Sequence, residues 1–332
     1  MTYEQIFRDL KNKIYQPVYF LMGEEPYFID KITDYIINNI LSEAEKPFNQ
    51  IILYGKDVDI PAIITTSRRF PMMANQQLVV VKEAQVVKNI DDLILYINNP
   101  LKSTILVINY KYKTLDKRKK LYKALLKTEA IFESKKIYEN KIPQWIEEYL
   151  KDKKYSITPG ASVLLAEYLG SDLQRIVNEL EKLTIILTEN SKITPEHIEE
   201  NIGISKDFNN FELQNAIVNR DILKANRIID YFSKSPKEHP IIITITSLYF
   251  YFSKVLSYHF IKDKSRKNIA SVLSINPFFV QDYEKAAKKY SPNKVAKIIS
   301  LLREYDTKSK GIENVSFSHE DLLKEMLYKI IH

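Results

Sequence analysis

The strongest constraint on the fold is an alternation between short β-branched runs and helical stretches, which continues to about residue 135. The candidate strands are VYFLM (18–22), QIILY (50–54), QLVVVKEA (77–84), TILVINY (104–110) and AIFES (130–134). Helical periods lie between them, for example over 26–42 and 90–98. Strands that alternate with helices pair in parallel, so the pattern predicts an α/β domain with a parallel sheet covered on both faces.

The rest of the chain is predicted to be helical, because no convincing strand pattern follows Pro143. The signals for helix starts are a threonine before a proline at Thr158-Pro159 and Thr194-Pro195, and the capping-box spacing of Ser171 and Gln174. Gly203 has the character of a helix stop. We therefore predict an α/β domain over 1–140, a small helical domain over 141–205 and a larger helical domain over 206–332.

One strand–glycine–helix junction, VYFLMGEEPYFIDKITDYII (18–37), has the outline of a nucleotide site. In a P-loop, G-x-x-x-x-G-K-[ST], backbone amides and the lysine hold the phosphates and the hydroxyl holds magnesium. Counting from Gly23, this chain carries Phe28, Ile29 and Asp30 at the last three positions. The glycine, the lysine and the hydroxyl are all replaced, so we predict a degenerate P-loop without nucleotide chemistry.

Glu24 and Glu25 follow that glycine, at the place where phosphates would lie. Their charges would repel a phosphate. One interpretation is that they lie at a helix N-terminus, where the macrodipole favours acidic side chains. The other is a catalytic role for one of the carboxylates.

Composition excludes several kinds of site. The chain has no cysteine, which rules out disulfides and thiolate metal sites. Its five histidines are scattered, with no pair at ligand spacing, so we expect no metal and no cofactor. The start, MTYEQIFRDL, has no apolar signal-peptide core, and we expect a cytoplasmic protein. The apolar stretch 240–261 is long enough to span a membrane, but Lys254 would be costly there, so we expect a buried helix and no membrane contact.

The net charge of +7 permits an anionic partner such as nucleic acid. The segment KYKTLDKRKKLYKALLK (111–127) holds eight Lys or Arg against one Asp. The candidate DNA contacts in it are Lys111, Lys113, Lys117 and Arg118. The alternative is a solvated helix face, since Leu115, Tyr122, Leu125 and Leu126 recur at roughly helical intervals.

Tyr305 is a second candidate for nucleic-acid contact. It lies among Arg303, Lys308 and Lys310, and a tyrosine in a basic setting can stack on an unpaired base. The alternative is packing within the helical domain.

The segment Phe70-Pro71-Met72-Met73 places two adjacent methionines ahead of a predicted strand. One interpretation is that they fill the core, because methionine is among the residues more often buried. The other is a binding surface, to which methionine is suited because its flexible thioether fits pockets of varied shape.

Four segments, taken together and in this order, resemble the delta subunits of bacterial DNA polymerase III. They are GEEPYFIDK, RRFPMMANQQLVVVKEA (68–84), GSDLQRIVNELEKL (170–183), which resembles the lid helix of AAA+ ATPases, and YDTKSKGIENVSFSHEDLLKEML (305–327). The resemblance runs over nearly the whole chain. It implies an AAA+ module, with a RecA-like domain and a helical lid, followed by a helical collar through which a clamp loader assembles.

The resemblance also implies a function. Delta subunits bind and open the sliding clamp (beta) for loading onto primed DNA, and they neither bind nor hydrolyse ATP. Where active relatives place a nucleotide-reading arginine, this chain has Gln174, with Arg175 one position away. The implied partners are the clamp, the other loader subunits (gamma/tau and delta prime) and primer–template DNA, and the chain by itself would be a non-catalytic part of the polymerase complex.

The resemblance assigns clamp contact to Phe70, Pro71, Met72 and Met73, with the two methionines as an apolar wedge. The family more often has Phe or Leu at these two positions, followed by a glycine and basic residues, whereas this chain has Ala74, Gln76 and Gln77. Two other hypotheses stay open: an ATPase with an unusual site, and a free-standing basic nucleic-acid-binding protein.

Overall fold

The computed structural model describes residues 1–203, 205, 207–312 and 317–332. Contacts divide the chain into two compact units, Met1–Ile137 and Tyr138–His332. The division falls close to the boundary predicted at 140. The boundary predicted near 205 lies inside the second unit and stays a prediction. Within the family-like segment 305–327, residues 313–316 lie outside the described residues.

The first unit contains a five-stranded sheet in the order β2-β3-β4-β1-β5. The strands are β1 (Val18–Gly23), β2 (Gln50–Tyr54), β3 (Gln77–Lys82), β4 (Thr104–Lys111) and β5 (Ile131–Ser134). All four pairings are parallel. The β-branched runs are therefore strands, as predicted, although β3 ends before Glu83, where the main chain turns to a φ of 55°.

Helices cover both faces of this sheet, because successive strand residues point to opposite sides. The helices are α1 (Tyr3–Lys11), α2 (Pro26–Asn39), α3 (Lys46–Asn49), α4 (Ile60–Ser67), α5 (Ile94–Ile97) and α6 (Lys120–Lys127). Side chains of α1 and α2 pack with Tyr19 and Leu21 on one face. Side chains of α4, α5 and α6 pack with Phe20 and Met22 on the other. The predicted parallel sheet with two covered faces is confirmed.

The basic segment 111–127 is helical only in its second half. Strand β4 runs to Lys111, and Tyr112 then turns the main chain with a φ of 61°. Leu115 lies in the loop between β4 and α6, and its side chain is buried. On α6, Leu121 and Leu125 are buried in the core and Leu126 is exposed. The interpretation as a solvated helix face therefore holds for α6 and not for residues 111–119, which form the end of β4 and the turn and loop that follow it.

The second unit is predominantly helical. Its helices are α7 (Ile142–Asp152), α8 (Pro159–Leu169), α9 (Leu173–Ile186), α10 (Pro195–Ile202), α11 (Asn210–Asn219), α12 (Ile222–Lys234), α13 (Ile241–Phe260), α14 (Arg266–Leu273), α15 (Val280–Lys289), α16 (Pro292–Ser309) and α17 (His319–Ile331). Two short strands, β6 (Ser156–Ile157) and β7 (Lys192–Ile193), pair in parallel. The expectation of no strand after Pro143 is therefore wrong. These two strands have two residues each, which is too short to produce a recognisable sequence pattern.

The predicted helix starts hold at two of three places. Thr158 and Thr194 are the N-caps of α8 and α10, each followed by a proline in the first turn. Gly203 ends α10 in the left-handed conformation that favours glycine. The capping box of Ser171 and Gln174 is wrong, because Asp172 is the N-cap of α9 and accepts a hydrogen bond from the Arg175 amide at 3.0 Å.

Helix α13 is the one helix among the described residues that is long and apolar enough to cross a membrane, with a mean hydropathy of 1.3. One side of it packs in the core of the second unit, through residues such as Ile245, Leu248 and Phe252. The other side leaves Ile242, Ile243, Tyr249 and Phe250 exposed. The prediction of a buried helix therefore holds for one face only.

Candidate functional site

The first candidate site is the crevice at the carboxyl ends of β1 and β4. These strands are neighbours, yet the helix that follows β1 and the helix that follows β4 lie on opposite faces of the sheet. In open α/β sheets such a switch point opens the crevice in which ligands bind. The residues at this point are Gly23, Glu24 and Glu25 after β1, and the main chain from Lys111 to Lys113 after β4.

Main-chain hydrogen bonds close this crevice. The Gly23 amide donates to the Lys113 carbonyl at 3.0 Å, and the Tyr112 amide donates to the Gly23 carbonyl at 2.7 Å. The Glu24 amide donates to the Ser134 carbonyl at the end of β5, at 3.0 Å. In a P-loop the amides at this junction point at phosphate. Here the amides of Gly23 and Glu24 already have protein partners.

Gly23 also brings two main chains together. A Cβ at this position would lie 1.9 Å from the Ser134 carbonyl oxygen, and its φ of +135° is one that other residues rarely adopt. The glycine therefore permits close packing of β1 on the end of β5, and it does not leave space for a ligand.

The N-terminus of α2, which could attract a phosphate, holds a carboxylate of the protein itself. Glu25 is the N-cap, and its buried side chain accepts a hydrogen bond from the Tyr27 amide at 3.1 Å. The Ser134 hydroxyl donates to the Glu25 carbonyl at 2.7 Å. The helix-terminus interpretation of Glu25 is confirmed, whereas Glu24 is exposed.

The three residues at the positions of the P-loop glycine, lysine and hydroxyl have structural contacts. Phe28 packs edge-on against Tyr3, with ring centroids 5.0 Å apart. Ile29 is fully buried in the sheet core. Asp30 pairs with Lys111 from the end of β4, at 2.6 Å. A buried isoleucine thus stands where a P-loop has its lysine, and a carboxylate paired with Lys111 stands where it has its hydroxyl.

The second candidate site is at the opposite edge of the sheet. The chain between α4 and β3 is irregular and leads into the amino end of β3, whereas the crevice lies at the carboxyl ends. In this loop Phe70 and Met72 are exposed, Met72 by 60%, and Met73 is fully exposed with a φ of 52°. The core-filler interpretation of the two methionines is wrong, because neither side chain contributes to the core. Neither lies on helix α4, which ends at Ser67.

A buried side chain outside this loop holds it, and sequence reasoning missed it. Asn49, at the end of α3, accepts a hydrogen bond from the Met72 amide at 2.7 Å and donates one to the Met72 carbonyl at 2.9 Å. In the sequence, Asn49 is only a polar residue directly before a predicted strand, and this position does not indicate that its side chain binds the Met72 main chain. It depends on the pairing of β2 with β3, which brings the start of β2, next to Asn49, alongside the start of β3.

The candidate DNA contacts of the basic segment are partly neutralised by carboxylates of the first unit. Lys111 pairs with Asp30, Lys117 with Glu133 at 3.5 Å, and Arg118 with Asp116 at 2.8 Å. Within residues 1–137, all of which are described, Lys113, Lys120, Lys123 and Lys127 have no ion pair. The cations still free for an anionic partner are therefore mostly on α6.

Tyr305 is fully buried in the core of the second unit, on α16. The ammonium groups of Lys308 and Lys329 lie 5.1 and 5.4 Å from its ring centroid. The base-stacking interpretation is wrong, because no face of the ring is exposed, and the packing alternative describes this residue.

The second unit contains a cavity of about 810 Å³ that the sequence did not indicate. Its lining comes from helices α7, α8, α11 and α13 to α15 and includes Glu167. Burial raises the pKa of Glu167 to about 7, against an opposing hydrogen bond from the Phe211 main chain. Among the described residues, Glu167 Oε2 has no hydrogen-bond partner. The cavity therefore holds a carboxyl group whose ionisation is disfavoured by its surroundings.

No group of three or more His, Asp or Glu among the described residues could hold a metal ion.

Comparisons with known proteins agree on one family. The family model described as DNA polymerase III, delta subunit, matches residues 19–135, and the model of the C-terminal domain of that subunit matches residues 207–325. Together the two matches cover more than two thirds of the chain. The DNA polymerase III subunit delta of Bacillus subtilis (strain 168) is 27% identical over 315 residues, which are 92% of this chain and 91% of that protein. The solved Bacillus subtilis DNA clamp loader delta protein is similar over 99% of each chain, with 25% identity and a TM-score of 0.56.

Proposed function

The chain belongs to the DNA polymerase III delta subunit family, and on that premise we propose that it binds the sliding clamp and opens it for loading onto primed DNA. The observation that carries this proposal is the exposed pair Met72 and Met73. It lies on the loop to which the family resemblance assigns clamp contact.

The exposed loop has the properties of an interface anchor. Two adjacent large apolar side chains, with Phe70 beside them, project from a rigid sheet domain into solvent. A few apolar or aromatic anchors of this kind dominate most protein interfaces. Thioethers adapt to pockets of varied shape, so Met72 and Met73 are suited to the role that Phe or Leu has in relatives.

We also propose that the chain neither binds nor hydrolyses ATP and is not an enzyme by itself. The paired amides of Gly23 and Glu24 and the Glu25 carboxylate at the α2 N-terminus support this. A phosphate would have to break three main-chain hydrogen bonds and approach a carboxylate. The strand–helix layout is AAA+-like in this proposal, with the nucleotide chemistry lost.

The exposed side of α13 supports a collar role for the end of the chain. Ile242, Ile243, Tyr249 and Phe250 form a stripe of exposed apolar side chains around Thr246, on a helix whose other side is in the core, and three of them also line the mouth of the cavity. Contiguous exposed apolar surface commonly marks a protein interface. We assign this stripe to contact with the other loader subunits, gamma/tau and delta prime, in the cytoplasm.

Contact with primer–template DNA is proposed for the unpaired cations of the basic segment. Lys113, Lys120, Lys123 and Lys127 are exposed, whereas Lys111 and Arg118 are engaged by Asp30 and Asp116. Such contacts neutralise backbone phosphates, so they would be independent of sequence and weakened by salt.

Clamp binding by the variant Met72→Ala/Met73→Ala tests the main proposal. The sliding clamp encoded in the same genome is immobilised, and affinity is measured by surface plasmon resonance. We expect a loss of at least about 30-fold, because truncating one anchor typically costs roughly 2 kcal/mol.

The matched control is Ile185→Ala/Ile186→Ala, an adjacent pair of apolar residues that are also exposed, at the end of α9. It should bind the clamp like the parent chain. Unchanged affinity of the methionine variant, or an equal loss in both variants, would remove the wedge from the proposal.

Assembly is tested separately with Ile242→Asp/Phe250→Asp in the full chain. Placing two charges on the α13 stripe should prevent co-elution with gamma/tau and delta prime while clamp binding persists. The control Ile185→Asp should co-elute normally. If the stripe variant assembles as well as this control, the collar contact lies elsewhere.

A further inference from the structure

The loop that carries Met72 and Met73 is held at its tip by one buried amide. Asn49 is 1% exposed. Its Oδ1 accepts from the Met72 amide at 2.7 Å, and its Nδ2 donates to the Met72 carbonyl at 2.9 Å. Both main-chain groups of one residue are thus satisfied by one side chain, as a neighbouring strand would do.

Other contacts hold the last residues of α4, just before the loop begins. Gln77 Nε2 donates to the Thr66 carbonyl at 3.1 Å, and the Tyr96 hydroxyl donates to the Ser67 carbonyl at 3.3 Å. Within residues 1–137, which are described throughout, the bonds to Asn49 are the hydrogen bonds that fix the main chain between Phe70 and Gln76. Without them the tip of the loop would have no regular partner.

Asn49 is in turn anchored in the domain. It is the last residue of α3, and its Nδ2 also lies 3.2 Å from the Glu45 carbonyl. Strand β2 begins at the next residue and pairs in parallel with β3. The side-chain amide of Asn49 therefore connects the loop, which has no secondary structure of its own, to the ordered main chain at the start of β2.

We propose that Asn49 is a positioning residue that holds Met72 and Met73 in the clamp-binding conformation before the clamp arrives. The inference rests on the proposed function, because it concerns the same surface. With the Met72 main chain fixed, the left-handed turn at Met73 directs adjacent apolar side chains outwards. Holding a loop in its bound conformation raises affinity by removing the cost of ordering it on binding.

The variant Asn49→Leu tests the inference, since leucine has a similar volume and makes neither hydrogen bond. If the loop then adopts the held conformation about one-tenth of the time, the apparent Kd for the clamp rises about tenfold. The Met72 amide should lose its protection from hydrogen exchange. Asn49→Asp, which keeps the acceptor for the Met72 amide, is a milder second variant and should give an intermediate loss.

A control separates positioning from general damage to the core. Asn109 on β4 is also fully buried, and its side chain accepts from the Thr33 hydroxyl at 2.9 Å. The variant Asn109→Leu should bind the clamp like the parent chain, when affinity is expressed per folded molecule. Its Met72 amide should stay protected.

A double-mutant cycle shows whether Asn49 acts through the methionines. In the Met72→Ala/Met73→Ala background, Asn49→Leu should change clamp affinity by less than about twofold, because the side chains that it positions are gone. A tenfold loss that persists in this background would overturn the inference. So would a Kd for Asn49→Leu within twofold of that for Asn109→Leu.

The clamp affinities of these variants also distinguish a failure of the positioning role of Asn49 from a failure of the proposed clamp binding by Met72 and Met73. If Met72→Ala/Met73→Ala binds the clamp as tightly as the parent chain, the proposed function fails and the inference fails with it. If that variant loses affinity and Asn49→Leu does not, only the inference fails.

Discussion

The two edges of the sheet in the first unit are treated in opposite ways. At the carboxyl ends, polar groups that could bind a phosphate are satisfied by the protein: two amides by carbonyls, a helix terminus by Glu25, and the Lys111 ammonium by Asp30. At the amino end of β3, two apolar side chains that could pack in a core are left in solvent. Polar groups are paired at one edge, and apolar side chains are exposed to solvent at the other.

This difference shows that fold similarity does not locate function. In α/β sheets the expected ligand site is the crevice at the carboxyl ends of the strands. Here the topology is kept while the amides at the crevice have protein partners, and the exposed methionines lie at the other edge. Function has to be argued from the groups that are left unpartnered.

The largest effect is expected where the crevice is closed. Replacing Gly23 with alanine should lower the free energy of unfolding by about 4 kcal/mol or more, because the new Cβ would collide with the Ser134 carbonyl and the main chain has a positive φ. Urea denaturation of the purified variant measures this. Gly160→Ala on α8, where nothing lies within 4 Å, should be neutral or slightly stabilising. Similar values for the two variants would contradict the description of a closed crevice.

The two regions can be compared by the loss of stability when a methionine in each is replaced with alanine. Met22 on β1 is fully buried, so Met22→Ala should cost about 2–5 kcal/mol. Met72→Ala and Met73→Ala should each cost less than about 0.5 kcal/mol, as substitutions of exposed side chains usually do. Thermal and urea unfolding of the three variants give the comparison. A loss of several kcal/mol at Met72 or Met73 would return these residues to the core and end the wedge proposal.

A carboxyl group of the second unit extends the comparison, because Glu25 caps a helix whereas Glu167 has an oxygen without a partner among the described residues. The pKa of Glu167 is raised to about 7 in the folded chain, so the folded state keeps a proton that the unfolded state releases. Its ionisation therefore costs stability progressively as the pH rises from about 4.5 to 7. Glu167→Gln should gain roughly 1–3 kcal/mol at pH 8 and less at pH 5. Denaturation at both pH values tests this, and an equal difference at both would show that the carboxyl group is not desolvated.

A smaller effect is expected from the backbone of Met73. Its φ of 52° is one that glycine adopts freely, so Met73→Gly should be about 0.5–1 kcal/mol more stable than Met73→Ala. Both variants should lose clamp affinity. An alanine variant that is the more stable of the two would show that Met73 does not keep this conformation in solution.

The smallest expected effect is that of nucleotide. Magnesium-ATP should leave the melting temperature unchanged and give no heat of binding in calorimetry, because the amides at the crevice are already paired. Saturable, magnesium-dependent binding would show that the crevice opens and would revive the ATPase hypothesis.

Several features of this protein were determined by local sequence. The β-branched runs produced five strands at nearly the predicted positions, because side-chain branching and burial act over a few residues. The replacements Phe28, Ile29 and Asp30 excluded a P-loop, since that chemistry depends on residue identity. The same local reasoning failed for the short strands at Ser156 and Lys192, and it placed the N-cap of α9 one residue early.

The candidate site depended on the tertiary structure. Met72 and Met73 have the composition of core residues, and only the positions of α4 and β3 show that they are exposed. Tyr305 has the sequence environment of a nucleic-acid contact, and only helix packing shows that it is buried. Asn49 reaches Met72 across 23 residues because β2 and β3 are neighbours in the sheet. Burial and long-range hydrogen bonds depend on which elements become neighbours, and local propensity does not encode that choice.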